Sequence, residues 1–453
     1  PVPLTMPSHT TMMTGLEPVA HGVRDNGLFV LDEAHDTLAE ELAELGYRAG
    51  AFVSAYPLSK SFGLDQGFEI YDDQLGSAEP GAGAEGAVGA MHERRGDATV
   101  DRALRWLDTV GEGESFFAWV HLFDPHYPLA APEPFASRYR DDPYQAEVSF
   151  SDSQVARLFA WLEQSGREDT TLVILTSDHG EGLGEHGEVS HGNLLYDGTQ
   201  RVPLILAGPG VASGAVTPGP VGLVDVAATM RAFTGVDVRG RGTPIDLSGA
   251  GLGGTAYMET VFPRIHFGWS ELYGIERDGW KYVEAPGADG AAQLRRVDAG
   301  GEGEDVLAEE GELAARLAAD LARLRADLAA TALGVSAAAA PSAGSLEALE
   351  ALGYVGADAS AAASLDTSAE GLDPRLVIGA SRAANLLRTV VAMGDLEAAE
   401  TQLAEIETLD PGGILHLESR GFLELARGLQ DGRDPAALER ARLALADARA
   451  KLK

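Results

Sequence analysis

Thr171-Leu172-Val173-Ile174-Leu175-Thr176-Ser177-Asp178-His179-Gly180-Glu181 is the stretch that decides the fold. The uncharged run from Thr171 to Thr176 has the length of a buried strand. It runs directly into Asp178-His179. A glycine-rich turn follows, with Gly184-Glu185-His186-Gly187 and Ser190-His191-Gly192. A strand of this kind delivers a hard carboxylate and an imidazole to the mouth of a sheet. That pair suits a divalent ion, and a site built on it handles an anion. The plainer reading is an Asp helix cap beside a buried histidine. His186 is balanced between a functional and a structural reading.

Outward from this strand, residues 1–300 alternate strand-like and helix-like patterns. Leu38–Leu45, Asp97–Val110, Val155–Gln164 and Val224–Phe233 read as helices. Ala49–Ala55, Phe116–Leu122 and Pro203–Ala207 read as short apolar strands. This order predicts an α/β fold, a mostly parallel sheet sandwiched by helices. In such sheets ligands bind beyond the carboxyl ends of the strands. Asp124-Pro125-His126 follows one strand as Asp178-His179 follows another, so the two motifs are expected to share a site. Residues 75–92 read as a loop, and the Gly/Asp/Glu-rich residues 285–305 as the close of the first domain.

A second region differs in character. Residues 301–373 hold a helix, Glu312–Leu328, then low-complexity stretches at Ala337–Ser345 and Ala357–Ser368. Between these, Leu346–Tyr354 reads as a short docking helix. Residues 374–453 are helical throughout, with Ala380–Met393 and Leu396–Leu409 split at Gly394-Asp395. Ile414–Leu429 and Pro435–Lys451 form a second pair. The pattern reads as a tetratricopeptide-type array or as generic helical hairpins, with a protein or peptide as the partner it suggests.

The 453 residues carry 34 basic against 70 acidic side chains, a net charge of −36. Such a surface repels nucleic acid and anionic membrane. It also repels an anionic substrate, so an anion site needs local positive charge, and a bound metal supplies it. Zero cysteines exclude disulfides, thiolate nucleophiles and cysteine-ligated metals. No apolar run is long enough to span a bilayer as a helix. Residue 1 is Pro, and the chain is read as lacking its true N-terminus.

Near the start stands Thr5-Met6-Pro7-Ser8-His9, with Thr14-Gly15 downstream. A threonine hydroxyl is a weak nucleophile unless a metal or base activates it. A Pro-Ser turn entering a helix would aim backbone N–H groups at an anion. The same residues also read as a simple helix cap. His121 is expected to be structural and Arg24 to sit in a surface turn or touch an anion. Tyr257 to Thr260 and His266 to Ser270 read as core or pocket lining.

These motifs together resemble the sulfatase family of the alkaline phosphatase superfamily, whose signature is Cys/Ser-x-Pro-Ser-Arg with a later Thr-Gly. Thr5 falls at the nucleophile position, and Pro7, Ser8, Thr14 and Gly15 match. The resemblance implies a divalent metal (Ca, Mn or Zn) held by Asp178, His179 and Thr5. It implies that His126 and His191 contact the anion or protonate the leaving group. Ser54 and Tyr56 fall where the family carries a Lys and a His, and His9 where it carries Arg. Sulfatases make a formylglycine from Cys or Ser, which Thr5 cannot supply. Threonine is instead the nucleophile of phosphodiesterase and phosphotransferase branches. The family also opens with a strand of Asp ligands upstream of the nucleophile, which is expected to be missing here.

The resulting expectation is a metal-dependent hydrolase of anionic sulfate, phosphate or phosphonate esters, working through a covalent intermediate on Thr5. Ser54, Tyr56 and Arg24 are its expected substrate contacts. Its rivals are a transferase of phospho-groups to a surface polymer or lipid, and a decayed scaffold acting through its helices. Export or membrane tethering follows from the resemblance alone.

Overall fold

The computed structural model describes residues 2–75, 93–238, 240, 242–249, 253–288, 291–333, 370–430 and 434–451. The loop expected over 75–92 lies, past its first residue, outside the described residues. So do Ala337–Ser345, Leu346–Tyr354 and Ala357–Ser368.

Helix α1, Thr5–Thr14, is buried along its whole length and ends at Gly15. Gly15 has φ of 74°, the left-handed conformation that favours glycine at a helix end. Helix α2, Leu38–Glu44, starts with a reciprocal cap between Thr37 and Glu40. It feeds β1, Arg48–Phe52, which lies between β2, Ile70–Asp72, and a third strand. Helix α3, Gly96–Leu107, precedes that strand, β3, Phe116–Val120. Both pairings of β1 are parallel.

Alternation along these strands decides which face meets what. Ala51, Val53, Phe117 and Trp119 pack with Met6 and Met13 of α1. Phe52, Phe116, Ala118 and Val120 pack with Ala103, Trp106 and Leu107 of α3. The sheet is thus covered on both faces. A Cβ on Gly50 would lie 2.8 Å from the Trp106 ring, so close approach requires the glycine in β1.

Helix α4 runs from Pro143 to Gln164, a dozen residues earlier at its start than the periodicity shows. Asp142 caps it by accepting from the Gln145 N–H, and Pro143 suits the first turn. The strand predicted at Thr171–Thr176 is β4, Val173–Thr176, antiparallel to β5, Leu204–Ala207. Among the described residues β3 pairs only with β1, and β4 only with β5. A cavity of about 1440 Å³ lies between them, lined by both strands and by α4.

Helix α5, Val224–Thr234, carries Arg231, which is 1% exposed. Its Nε donates to Glu41 of α2 at 2.7 Å, and its Nη2 donates to the Thr14 carbonyl at 3.0 Å. The guanidinium therefore meets the carbonyl end of α1, where a helix dipole favours a cation.

The rest of the first region is a second, antiparallel sheet that the repeated β–α pattern does not announce. It comprises β6, Ala256–Thr260, then β7, Leu272–Arg277, β8, Trp280–Ala285, β9, Ala291–Asp298, and β10, Gly301–Asp305. A short helix, α6, Phe262–Phe267, joins β6 to β7. The residues expected to close a domain at 285–305 thus form two of its strands. Their glycines and acids mask the alternation that buries Leu294 between half-buried neighbours. Helix α7, Gly311–Ala330, covers this sheet with Ala314, Leu317, Leu321 and Leu328.

Four helices complete the chain: α8, Pro374–Ala392, α9, Leu396–Leu409, α10, Ile414–Gln430, and α11, Pro435–Lys451. They pair as two hairpins, and Asp395 caps α9 as the Gly394-Asp395 break implies. Val377, Ala380, Ala383, Ala384 and Leu387 of α8 share one core with Val2, Leu4, Phe262, Phe267 and Trp269. Arg375 also donates to the Ala291 carbonyl at 2.9 Å.

Candidate active site

The start of α1 and the end of β4 meet. Thr5 Oγ1 lies 3.4 Å from His179 Nε2, which lies 3.4 Å from Asp178 Oδ2. His9, one turn along α1, places Nε2 3.6 Å from the same carboxylate oxygen. Thr5 is 2% exposed. Ser8 fastens the preceding segment, its hydroxyl donating to the Val2 carbonyl at 2.7 Å. The Met6 N–H, which a helix start could offer to an anion, donates instead to Asn26 at 2.8 Å.

The glycine after Asp178-His179 has a steric cause. A Cβ on Gly180 would lie 2.1 Å from the Gly198 carbonyl oxygen. The chain passes that close because the Gly180 N–H donates to the Thr199 carbonyl at 3.0 Å.

His126 and His191 form the second half of the cluster, with Nε2 atoms 3.1 Å apart. The His191 ring also lies against His179, centroids 4.0 Å apart. Phe123 stacks on His126 at 4.0 Å and orients it. Glu181 Oε1 stands 4.0 Å from His126 Nε2 and 3.9 Å from His191 Nε2. Thr5, His126, Asp178, His179 and His191 are thus brought together from four separate stretches of chain.

Three expected substrate contacts are placed elsewhere. Arg24 donates to Glu259 at 2.8 Å and to the Tyr273 hydroxyl at 3.2 Å, a partly buried tie to the second sheet. Ser54 bonds Thr99 at 2.6 Å and the His121 carbonyl at 2.7 Å. Tyr56 packs edge-on against Phe62 at 5.6 Å. None of the three lines the cavity. His186 stacks on Tyr196 away from the cluster, and Tyr257, Met258, Glu259 and Thr260 are core. His9 and Glu181 join the cluster without having been assigned a role by motif. Nothing in the sequence marked Glu181, whose flanking glycines show their steric cause only in the folded chain.

Burial governs the electrostatics. It lowers His9 and His126 to about 4 and His121 to about 3, with neighbouring imidazoles assisting at His121 and His126 and Asp178 opposing at His9. Burial pushes Glu181 up to about 8, and the charges of Glu188 and Asp178 add to this. Burial alone would raise Asp178, but the imidazoles around it hold the carboxyl well below the usual range.

These histidines bind more protons unfolded, where about 6.5 is usual. Their stabilisation is therefore present above pH 6.5 and is lost as pH falls towards 4. For metal-free protein, one group held near 4 costs about 2 kcal/mol at pH 5. The melting temperature is expected to drop clearly between pH 7.5 and 5. A flat profile over that range would contradict neutral buried imidazoles.

His179 Nδ1 faces the Gly180 carbonyl at 3.0 Å. A carbonyl only accepts, so Nδ1 carries the proton and Nε2 presents a lone pair to the Asp178 carboxylate. A lone pair, a carboxylate oxygen and a hydroxyl oxygen converging at this range fit a divalent cation.

The fold and the cluster define a class: an α/β protein that gathers a hydroxyl, a carboxylate and imidazoles beyond its strand ends. A family model described as Sulfatase matches residues 1–236, and the chain belongs to the sulfatase family. It is 26% identical to arylsulfatase K of Rattus norvegicus over 217 residues, 42% of this chain and 38% of that one. It is 32% identical to choline-sulfatase of Rhizobium meliloti over 145 residues, 31% of this chain and 28% of that one. The chain thus spans about two-fifths or less of these relatives. Among solved structures, Ps i-CgsB superposes with a TM-score of 0.60 at 19% identity, covering 72% of this chain and 83% of that one. A phosphonate monoester hydrolase of Agrobacterium radiobacter gives 0.55 at 20% identity, covering 71% and 86%. These superpositions establish the shared fold.

Proposed function

We propose that the chain is a metal-assisted hydrolase of anionic sulfate, phosphate or phosphonate esters, with Thr5 as the nucleophile. The observation that carries this reading is Thr5 Oγ1 at 3.4 Å from His179 Nε2, beside Asp178. Asp178, His179 and Thr5 would hold the ion. Once bound, the ion lowers the hydroxyl's pKa and polarises the ester's non-bridging oxygens.

Thr5 Oγ1 forms a bond to the sulfur or phosphorus as the ester oxygen departs, and the hydroxyl proton leaves to the open cavity. The His126–His191 pair stands on the leaving-group side, where either imidazole would pass a proton taken up from solvent to the departing oxygen. Water then cleaves the Thr5 ester and restores the hydroxyl. With Thr5 in place of a formylglycine precursor, phosphonate monoesters and phosphodiesters are favoured over sulfates. The missing Lys and Arg favour singly charged esters over the dianion of a phosphate monoester. Arg167 and Arg201 line the cavity but are tied to backbone carbonyls. The C-terminal hairpins, read as tetratricopeptide-type, would hold a peptide partner. Among the described residues no helix is long and apolar enough to cross a membrane.

Nitrophenyl esters of a phosphodiester, a phosphonate and a sulfate test this reading, with Mn²⁺, Ca²⁺, Zn²⁺ or chelator. The expected result is metal-dependent turnover, faster on the phosphorus esters. No turnover with any metal would favour a scaffold instead. Products formed on adding glycerol or ethanolamine would reveal a transferase.

A further inference from the structure

We propose a second divalent-metal site, held by His126, His191 and Glu181 and distinct from the ion at Asp178 and His179. Three observations converge on it. The two imidazole Nε2 atoms are 3.1 Å apart, and each Nδ1 faces a backbone carbonyl. His126 Nδ1 lies 2.6 Å from the Tyr127 carbonyl, and His191 Nδ1 lies 2.8 Å from that of Pro3. Carbonyls only accept, so both Nδ1 atoms are protonated and both Nε2 lone pairs point at one another. Two lone pairs at that distance repel unless a cation or a proton stands between them. A ring N–H donated to a carbonyl is also the usual outer support of a metal-bound histidine.

Glu181 decides between cation and proton. Its Oε1 is buried without a hydrogen-bond partner among the described residues. It faces both Nε2 atoms at 3.9 and 4.0 Å, too far for a hydrogen bond. A shared proton would join the two rings and leave that oxygen stranded. Zinc-bound atoms at about 2.0–2.1 Å in a tetrahedron stand about 3.4 Å from one another. The observed separations, 3.1 to 4.0 Å, bracket that value. Two histidines and a glutamate also form the donor set of catalytic zinc sites, with a fourth position left open.

Zinc is therefore the expected ion, and the open position takes an oxygen ligand. Charge balance gives it a role. Asp178 and Glu181 together cancel a single divalent ion. A second ion leaves the cluster positive enough to hold an anion without Lys or Arg. That role rests on the hydrolase reading above, whereas occupancy by metal does not. With zinc in place, His126, His191 and Glu181 would hold a cation facing the leaving oxygen, in place of a donated proton.

The test is zinc stoichiometry and affinity of the full chain, by calorimetry and elemental analysis after chelator treatment and desalting. Wild type is compared with His191→Gln, Glu181→Gln and Asp178→Asn, each first matched to stripped wild type by circular dichroism. The expected result is one equivalent of zinc lost, or weakened at least 100-fold, in both His191→Gln and Glu181→Gln but retained in Asp178→Asn. Should His191→Gln fail to fold, Glu181→Gln alone decides. Zinc binding unchanged in the folded variants, or no zinc bound by wild type beyond what Asp178→Asn removes, would overturn the site. Either outcome leaves the ester assays free to succeed or fail independently.

Discussion

Thr5→Ala is expected to lower ester turnover by at least about 10³-fold, roughly 4 kcal/mol of transition-state stabilisation. In the proposed reaction the hydroxyl oxygen is the reacting atom, and no neighbouring side chain takes its place. His9 and His121 are imidazoles, and Ser8 is committed to the Val2 carbonyl. Thr5→Ser keeps the hydroxyl and is expected to retain measurable turnover. The alanine variant loses only a methyl and a hydroxyl, so folding stability should change by about 1 kcal/mol. Activity and melting temperature measured together separate the chemical effect from the structural one. An alanine variant retaining a tenth of wild-type turnover would take Thr5 out of the reaction.

Arg231→Met is the second large effect, and it concerns stability. The guanidinium and Glu41 are buried together, so the substitution breaks a buried ion pair, at about 3–5 kcal/mol. It also removes the donor to the Thr14 carbonyl, the last anchor of the helix that begins at Thr5. The double variant Arg231→Met with Glu41→Leu should recover most of the loss, because an apolar pair of similar volume is often neutral. Urea denaturation measures both. A single variant as stable as wild type would show that the pair carries no net weight.

The site was legible where residue type and position coincide. Asp178-His179 closes an uncharged strand, and Thr5 opens a helix that carries Pro7 and Ser8 in its first turn. Strand ends converge in an α/β sheet, so those motifs could be expected to meet. Arg24 shows the limit of such reasoning. A lone cation invites an anion, but Glu259, 235 residues away, already answers it. Glu181 was silent for the opposite reason, since a carboxylate in a polar turn looks like ordinary surface until its burial is known. The antiparallel sheet was hidden because β9 and β10 carry glycine and charge on their exposed positions. The helical region was legible as hairpins through the Gly394-Asp395 break, but not its attachment, which depends on small side chains such as Ala380 and Ala383.

That attachment has a consequence for how the molecule can be dissected. Val2 and Leu4, flanking the residue whose carbonyl orients His191, are wedged into the same apolar seam as α8. Thr5 thus borrows its rigidity from the far end of the polypeptide. The terminal hairpins are not a detachable module: excising them would bare an oily wall beside Thr5, and the remaining half would no longer be the same machine.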